Sequence, residues 1–326
     1  MWVLRGSVQP VAARLDARNH ARCRARPGLD SAARRHDLPS ETQRLGSGDS
    51  VSSDLLIAPA RLRAELDGPT PPVVLDVRWA LGDHDGHRHY LDGHVPRAVY
   101  VDLETELAGP ASAAAGRHPL PPLTSLESAA RRWGISDGSA VVVYDDVGNL
   151  SAARAWWLLR WGGVRGVRML DGGLAAWLTS GGPIDTGEEV PIPGNVALSA
   201  GHMPVLDIDA AAAMASDGLL LDARAGERFR GETEPVDPRA GHIPGAVSAP
   251  TFENLDAGGA FLETAELAER FRSLGAADAA AIGVYCGSGI SAAHEIAALS
   301  LAGFDAALYP GSWSQWSADP ARPAAP

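Results

Sequence analysis

Cys286 stands at a corner in the sequence. A buried-strand pattern, Ala281-Ile282-Gly283-Val284-Tyr285, runs into Gly287-Ser288-Gly289-Ile290-Ser291, after which apolar residues recur at three and four through Leu299, as in a helix. Two glycines within three residues let the backbone curl so that successive N–H groups converge on one point, and the helix that follows turns its positive end to the same point. The result is an anion cradle made of the backbone amides of Gly287, Ser288, Gly289, Ile290 and Ser291. A cysteine placed there is favoured as a thiolate nucleophile near neutral pH, and a persulfide or sulfur oxyanion built on it meets donors already in place. Most free cysteines are small buried hydrophobes, but that role gives no reason for a Gly-X-Gly turn at the mouth of a helix. Ser291 reads as a cap or turn residue.

The elements that position this corner follow from periodicity. Helical spacing covers 59–66, 125–133 and 151–161, and short β-branched or apolar runs at 72–78, 98–101 and 140–144 read as strands. Short strands alternating with amphipathic helices predict an α/β fold with a mainly parallel sheet. The chain also repeats itself. Leu75-Asp76-Val77-Arg78 returns as Leu221-Asp222-Ala223-Arg224, and Gly93-His94-Val95-Pro96 as Gly241-His242-Ile243-Pro244. Val143-Tyr144-Asp145 returns as Val284-Tyr285-Cys286, and Asp171-Gly172-Gly173 with Trp177 as Pro310-Gly311-Ser312 with Trp316. Four landmarks in one order indicate an internal duplication. The expected organisation is an extension at 1–53, rich in Arg, Ala, Ser and Gly and read as disordered, then a first unit at 54–180, a Pro/Gly-rich linker at 181–203 and a second unit at 204–326. In the first unit the nucleophile's place is taken by Asp145, followed by Asp146, so that unit is expected to be non-catalytic and to shape a cleft at the interface.

Composition narrows the function classes. The 326 residues carry a net charge of −12, which argues against a nucleic-acid partner. No apolar run approaches the length of a membrane span. All 28 basic residues are arginine, so Schiff-base chemistry and a P-loop lysine are excluded. Two cysteines, Cys23 and Cys286, are too few for a disulfide framework, and a reducing, cytoplasmic setting is expected.

The loop Cys286-Gly287-Ser288-Gly289-Ile290-Ser291 resembles the six-residue active-site loop of the rhodanese superfamily, and within it the Cys-Gly-Ser-Gly-Val-Thr loop of 3-mercaptopyruvate sulfurtransferases. Gly241-His242-Ile243-Pro244-Gly245 and Gly311-Ser312-Trp313-Ser314-Gln315-Trp316 resemble two further signatures of that family, and the likeness runs from residue 54 onward. It implies two tandem rhodanese-like domains and sulfur transfer without a metal or organic cofactor. It further implies that Ser288 relays a proton, that Arg228 and Arg239 grip the donor's anionic group, and that Glu104 and His118 from the first unit face the nucleophile. A bidentate guanidinium suits a carboxylate or sulfonate. His94 and His242 are expected to be structural, since both repeats carry them.

The implied reaction is a ping-pong transfer through a Cys286 persulfide, from a small anionic donor to a thiol such as thioredoxin or a small thiol, or to cyanide, by a monomer. Gly287 and Ser288 leave the loop neutral, which favours 3-mercaptopyruvate over the thiosulfate dianion as donor. A phosphatase with a Cys-X5-Arg loop would need a guanidinium where Ala292 stands. A non-catalytic binding module is the remaining alternative.

Overall fold

The computed structural model describes residues 55–326; Cys23 and the extension expected at 1–53 lie outside the described residues. The first half contains β1 (Leu56–Ile57), α1 (Pro59–Leu66), β2 (Val73–Asp76), α2 (Gly86–Asp92), β3 (Ala98–Tyr100), α3 (Leu103–Glu106), α4 (Leu123–Arg132), β4 (Val141–Tyr144), α5 (Ala152–Trp161), β5 (Val167–Leu170) and α6 (Gly173–Thr179). Its strands pair in parallel in the order β1-β5-β4-β2-β3. The central strand β4 reads Val-Val-Val-Tyr and is buried throughout, as a parallel strand covered on both faces must be.

The second half contains α7 (Ile208–Asp217), β6 (Leu219–Asp222), α8 (Gly226–Phe229), β7 (Val247–Ser248), a 3-10 turn (Thr251–Asn254), α9 (Thr264–Ser273), β8 (Ile282–Tyr285), α10 (Ser291–Leu301), β9 (Ala307–Leu308) and α11 (Ser312–Ala318). Its parallel order, β7-β6-β8-β9, repeats β3-β2-β4-β5. A single parallel bridge from Val205 to Leu308 stands where β1 stands in the first sheet. Both halves are α/β units of the kind the alternating pattern predicts.

The repeated tripeptides and tetrapeptides assemble into one node in each half. Asp76 holds Arg78 at 2.7 Å and accepts the Tyr144 hydroxyl at 2.5 Å, while Arg78 donates to the Gly93 carbonyl and Tyr144 accepts the Val95 amide. Asp222, Arg224, Gly241, Tyr285 and Ile243 repeat those contacts. A buried ion pair is tolerated only when its remaining donors and acceptors are matched, and here the backbone matches them. His94 and His242 each bond a carbonyl through Nδ1, at Tyr90 and Phe229, and stack on that residue's ring, so both histidines hold turns.

Residues 181–203 run along the first half. Asp185 bridges His94, Gly194 donates to the Arg131 carbonyl and Val196 to the Ile135 carbonyl. The two halves meet where α5 packs on α10, and apolar residues of both sheets and both helices form one continuous core. No helix among the described residues is long and apolar enough to cross a membrane.

Candidate active site

Cys286 follows β8 directly and is 2% exposed. Its sulfur accepts the Gly289 amide at 3.1 Å, and among the described residues this is the one cradle amide in contact with it. Gly289 has φ +82°, and a β-carbon there would lie 2.8 Å from the Pro310 carbonyl oxygen, so the turn requires glycine on two counts. The loop is pinned from beneath by the start of α11. Ser312 Oγ accepts the Cys286 amide at 3.1 Å, and the Trp313 and Ser314 amides donate to the Cys286 and Gly287 carbonyls at 2.9 Å each. This gives the Gly-Ser-Trp-Ser segment a physical role: it fixes the backbone of Cys286.

Three residues expected at the site form a chain. Ser288 Oγ lies 2.7 Å from His118 Nδ1, and His118 Nε2 lies 3.1 Å from Glu104 Oε2. His118 is buried, whereas the Glu104 carboxylate is about half exposed and also accepts the Trp79 indole N–H at 2.9 Å. Burial holds His118 below the ordinary imidazole range, against the opposing pull of Glu104. A neutral imidazole against a hydroxyl can accept and return a proton.

The cleft beside Cys286 has a volume of about 270 Å³, with Trp79, Leu81 and Arg117 from the first half facing Arg228, Phe252 and Ser288 from the second. Two guanidiniums converge on Gly287: a β-carbon built there would lie 3.0 Å from Arg117 Nη2 and 3.5 Å from Arg228 Nη1. Both are anchored from behind. Arg228 donates to Glu234 at 2.6 Å and to Asp237 at 3.2 Å, and Arg117 pairs with Asp237 across the two halves. Burial pushes the Asp237 carboxyl above its ordinary range against both guanidiniums. Burial also acts upward on Glu234, but the Asp237 amide and Arg228 outweigh it and hold Glu234 low.

Arg239 is not at this cleft, which corrects the expectation that it is the second donor-gripping arginine. Its guanidinium donates to the carbonyls of Ser317, Arg322, Trp316 and Asp319 at 2.8 to 2.9 Å and ties down the end of α11. The segment between Arg228 and Arg239 carries Glu232, Glu234 and Asp237, and its course delivers Arg239 to the chain terminus instead of the cleft. Arg117 lines the cleft with Arg228. Sequence reasoning passed over it, although it adjoins His118; its partner Asp237 lies 120 residues away.

In the first half, Asp145 stands at the place that Cys286 takes in the second. Its buried carboxylate accepts the amides of Val147, Asn149, Ser151 and Ala152 at 2.7 to 3.0 Å. Asp146 is exposed.

The rhodanese-like domain model matches residues 58–180 and 207–319. A putative thiosulfate sulfurtransferase of Mycobacterium tuberculosis is 48% identical over 274 residues, covering 82% of this chain and 96% of that one. A probable 3-mercaptopyruvate sulfurtransferase of Pseudomonas aeruginosa is 46% identical over 284 residues, covering 84% and 99%. Among solved structures, the 3-mercaptopyruvate sulfurtransferase from Leishmania major superposes with a TM-score of 0.72 at 26% identity, over 83% of this chain and 75% of that one. With a cysteine at a strand-to-helix corner in the second of two matched repeats, this chain belongs to the rhodanese family and is a tandem-domain sulfurtransferase.

Proposed function

We propose that this sulfurtransferase takes a sulfane sulfur from 3-mercaptopyruvate as a persulfide on Cys286 and passes it to an acceptor thiol, such as thioredoxin or a small thiol, or to cyanide. The observation that carries this is the pair Arg117 and Arg228 poised over Gly287, beside a loop that bears no charge of its own. Two forks anchored by Glu234 and Asp237 suit one carboxylate; the same two carboxylates make a second negative charge on the donor unwelcome.

In the first step the Cys286 thiolate attacks the donor sulfur. The S–S bond forms as the donor's C–S bond breaks, and the electron pair moves into the enolate of pyruvate. The donor thiol's proton passes to that carbon through the Ser288 hydroxyl, with His118 and Glu104 behind it. In the second step the acceptor thiolate attacks the outer sulfur and Cys286 leaves as thiolate. The second half, 204–326, is the catalytic unit; the first, 54–180, joined through 181–203, supplies Arg117, His118 and Glu104. The enzyme acts as a monomer in a reducing, cytoplasmic setting.

The test is steady-state transfer with 3-mercaptopyruvate and thiosulfate side by side, with mass measurement after donor alone. One added sulfur on Cys286, higher kcat/KM with mercaptopyruvate and loss of both in Cys286→Ser support the proposal. Preference for thiosulfate, the donor in the name of the Mycobacterium relative, would show that the neutral loop and paired arginines do not set donor choice.

A further inference from the structure

The helices that follow the two loops begin alike, Ser151-Ala152-Ala153-Arg154 and Ser291-Ala292-Ala293-His294. The fourth residue of each crosses to the other half. Arg154 Nη1 donates to the Gly289 carbonyl at 3.2 Å, and His294 Nε2 lies 3.1 Å from the Gly148 carbonyl. Gly289 and Gly148 stand at the same place, three residues after Cys286 and Asp145. The geometry is reciprocal and the charge is not. Burial lowers His294 to about 4, so the clamp on the Asp145 loop is neutral. Arg154 is also lowered by burial, to about 10, and remains a cation near neutral pH.

Arg154 is fully buried, and its guanidinium donates to the carbonyls of Leu107, His118, Pro119 and Gly289. Among the described residues no carboxylate pairs with it. A buried cation without a counter-ion is costly, and carbonyl oxygens satisfy its N–H groups without balancing its charge. The residue it grips is the one whose amide donates to the Cys286 sulfur. We infer that Arg154 is a positioning residue and the buried counter-cation of Cys286: it fixes Gly289 by the carbonyl, keeps the Gly289 amide on sulfur, and stabilises the thiolate and the persulfide anion. The other charged or titratable groups facing the nucleophile are Arg117 and Arg228, each paired with a carboxylate, Arg224, paired with Asp222 and Glu234, and His118, reached through Ser288.

The inference rests on Cys286 as the nucleophile, and Cys286→Ser separates the two: if that variant still transfers sulfur, the nucleophile assignment fails independently of Arg154. In a Cys23→Ser background, iodoacetamide alkylation of Cys286 is followed against pH for wild type, Arg154→Gln and Arg154→Lys, together with kcat and KM for the donor. Arg154→Gln is expected to move the alkylation profile to higher pH and lower kcat on the order of 10-fold or more, with KM nearly unchanged, because the donor's carboxylate is held elsewhere. Arg154→Lys is expected to restore the profile. A folded Arg154→Gln protein with the wild-type profile overturns the inference, as does a Lys variant shifted as far as the Gln variant. Should the Gln variant not fold, the double variant Arg117→Gln/Arg228→Gln decides: a profile moved to the pH typical of a free cysteine overturns the inference, and retention of the wild-type profile supports it.

Discussion

The two loops at Asp145 and Cys286 have one backbone plan and opposite fates. Each follows the central strand of a parallel sheet and is closed by a glycine three residues on, and in each the carbonyl of the first loop residue accepts an amide, Asp145 from Leu174 in one half and Cys286 from Trp313 in the other. In the first loop a carboxylate sits in the cradle and takes up four amides; in the second, a sulfur takes up one. The comparison teaches that the backbone makes the anion site and the side chain decides what is done with it. A fixed carboxylate fills such a site permanently. The Cys286 sulfur, which takes up one amide, leaves the others open to an atom added to it, as the proposed persulfide would add. A second difference lies beneath the loops: Ser312, at φ +52°, stands where Gly173 has φ +56°, and its hydroxyl holds the Cys286 amide.

The largest effect that would break this comparison comes from Cys286→Asp. It should abolish sulfur transfer while keeping the fold, because the live loop would then copy the filled one; unfolding of this variant, seen as loss of its cooperative thermal transition, would show the cradles are not equivalent. Next, Arg117→Ala and Arg228→Ala should each raise KM for mercaptopyruvate about 10- to 100-fold with smaller effects on kcat, the range for a lost charge-assisted hydrogen bond. Arg239→Ala should instead leave KM unchanged and lower stability by about 1 to 3 kcal/mol, read by denaturant unfolding. His118→Ala should lower kcat by about 10²-fold or more, and Glu104→Gln only a few-fold, since that carboxylate is half exposed.

The smallest effect concerns pH. Burial pushes Asp145 up to about 6 against its four amide donors. A group whose folded pKa is raised contributes stability that is fully present below its unfolded pKa, near 4, and is lost as pH rises through the folded value. The advantage of wild type over Asp145→Asn in thermal midpoint should therefore shrink between about pH 4 and 6 and stay level above that. A constant or growing difference would mean that the four amides hold the carboxylate ionised throughout, so that the filled loop is a charged cradle even in acid.

Much of this was legible in the sequence because the duplication repeats short, local segments. Leu-Asp-X-Arg, Gly-His-X-Pro and Val-Tyr each recur, and each proved to be part of one node of buried polar contacts. The cysteine corner was legible for the same reason: strand, glycines and helix are consecutive. Arg117 and Arg154 were not, because what defines them is long-range. Arg117 meets Asp237, and Arg154 meets Gly289, across 120 and 135 residues, and within its own helix Arg154 is one of two arginines among Ala, Trp and Leu. Arg239 was misplaced because matching a residue to a short pattern fixes its order in the chain, while its destination depends on the path of the loop between.

The crossed contacts of Arg154 and His294 have the form of an isologous interface, in which the same patch on two copies meets itself about a twofold axis. Here the two copies are fused, and the crossed contact is buried within one polypeptide. Fusion frees each copy to diverge. One side could lose its nucleophile and become the other's supplier of charge, a division of labour closed to a symmetric dimer, where any change made to help one active site is imposed on both.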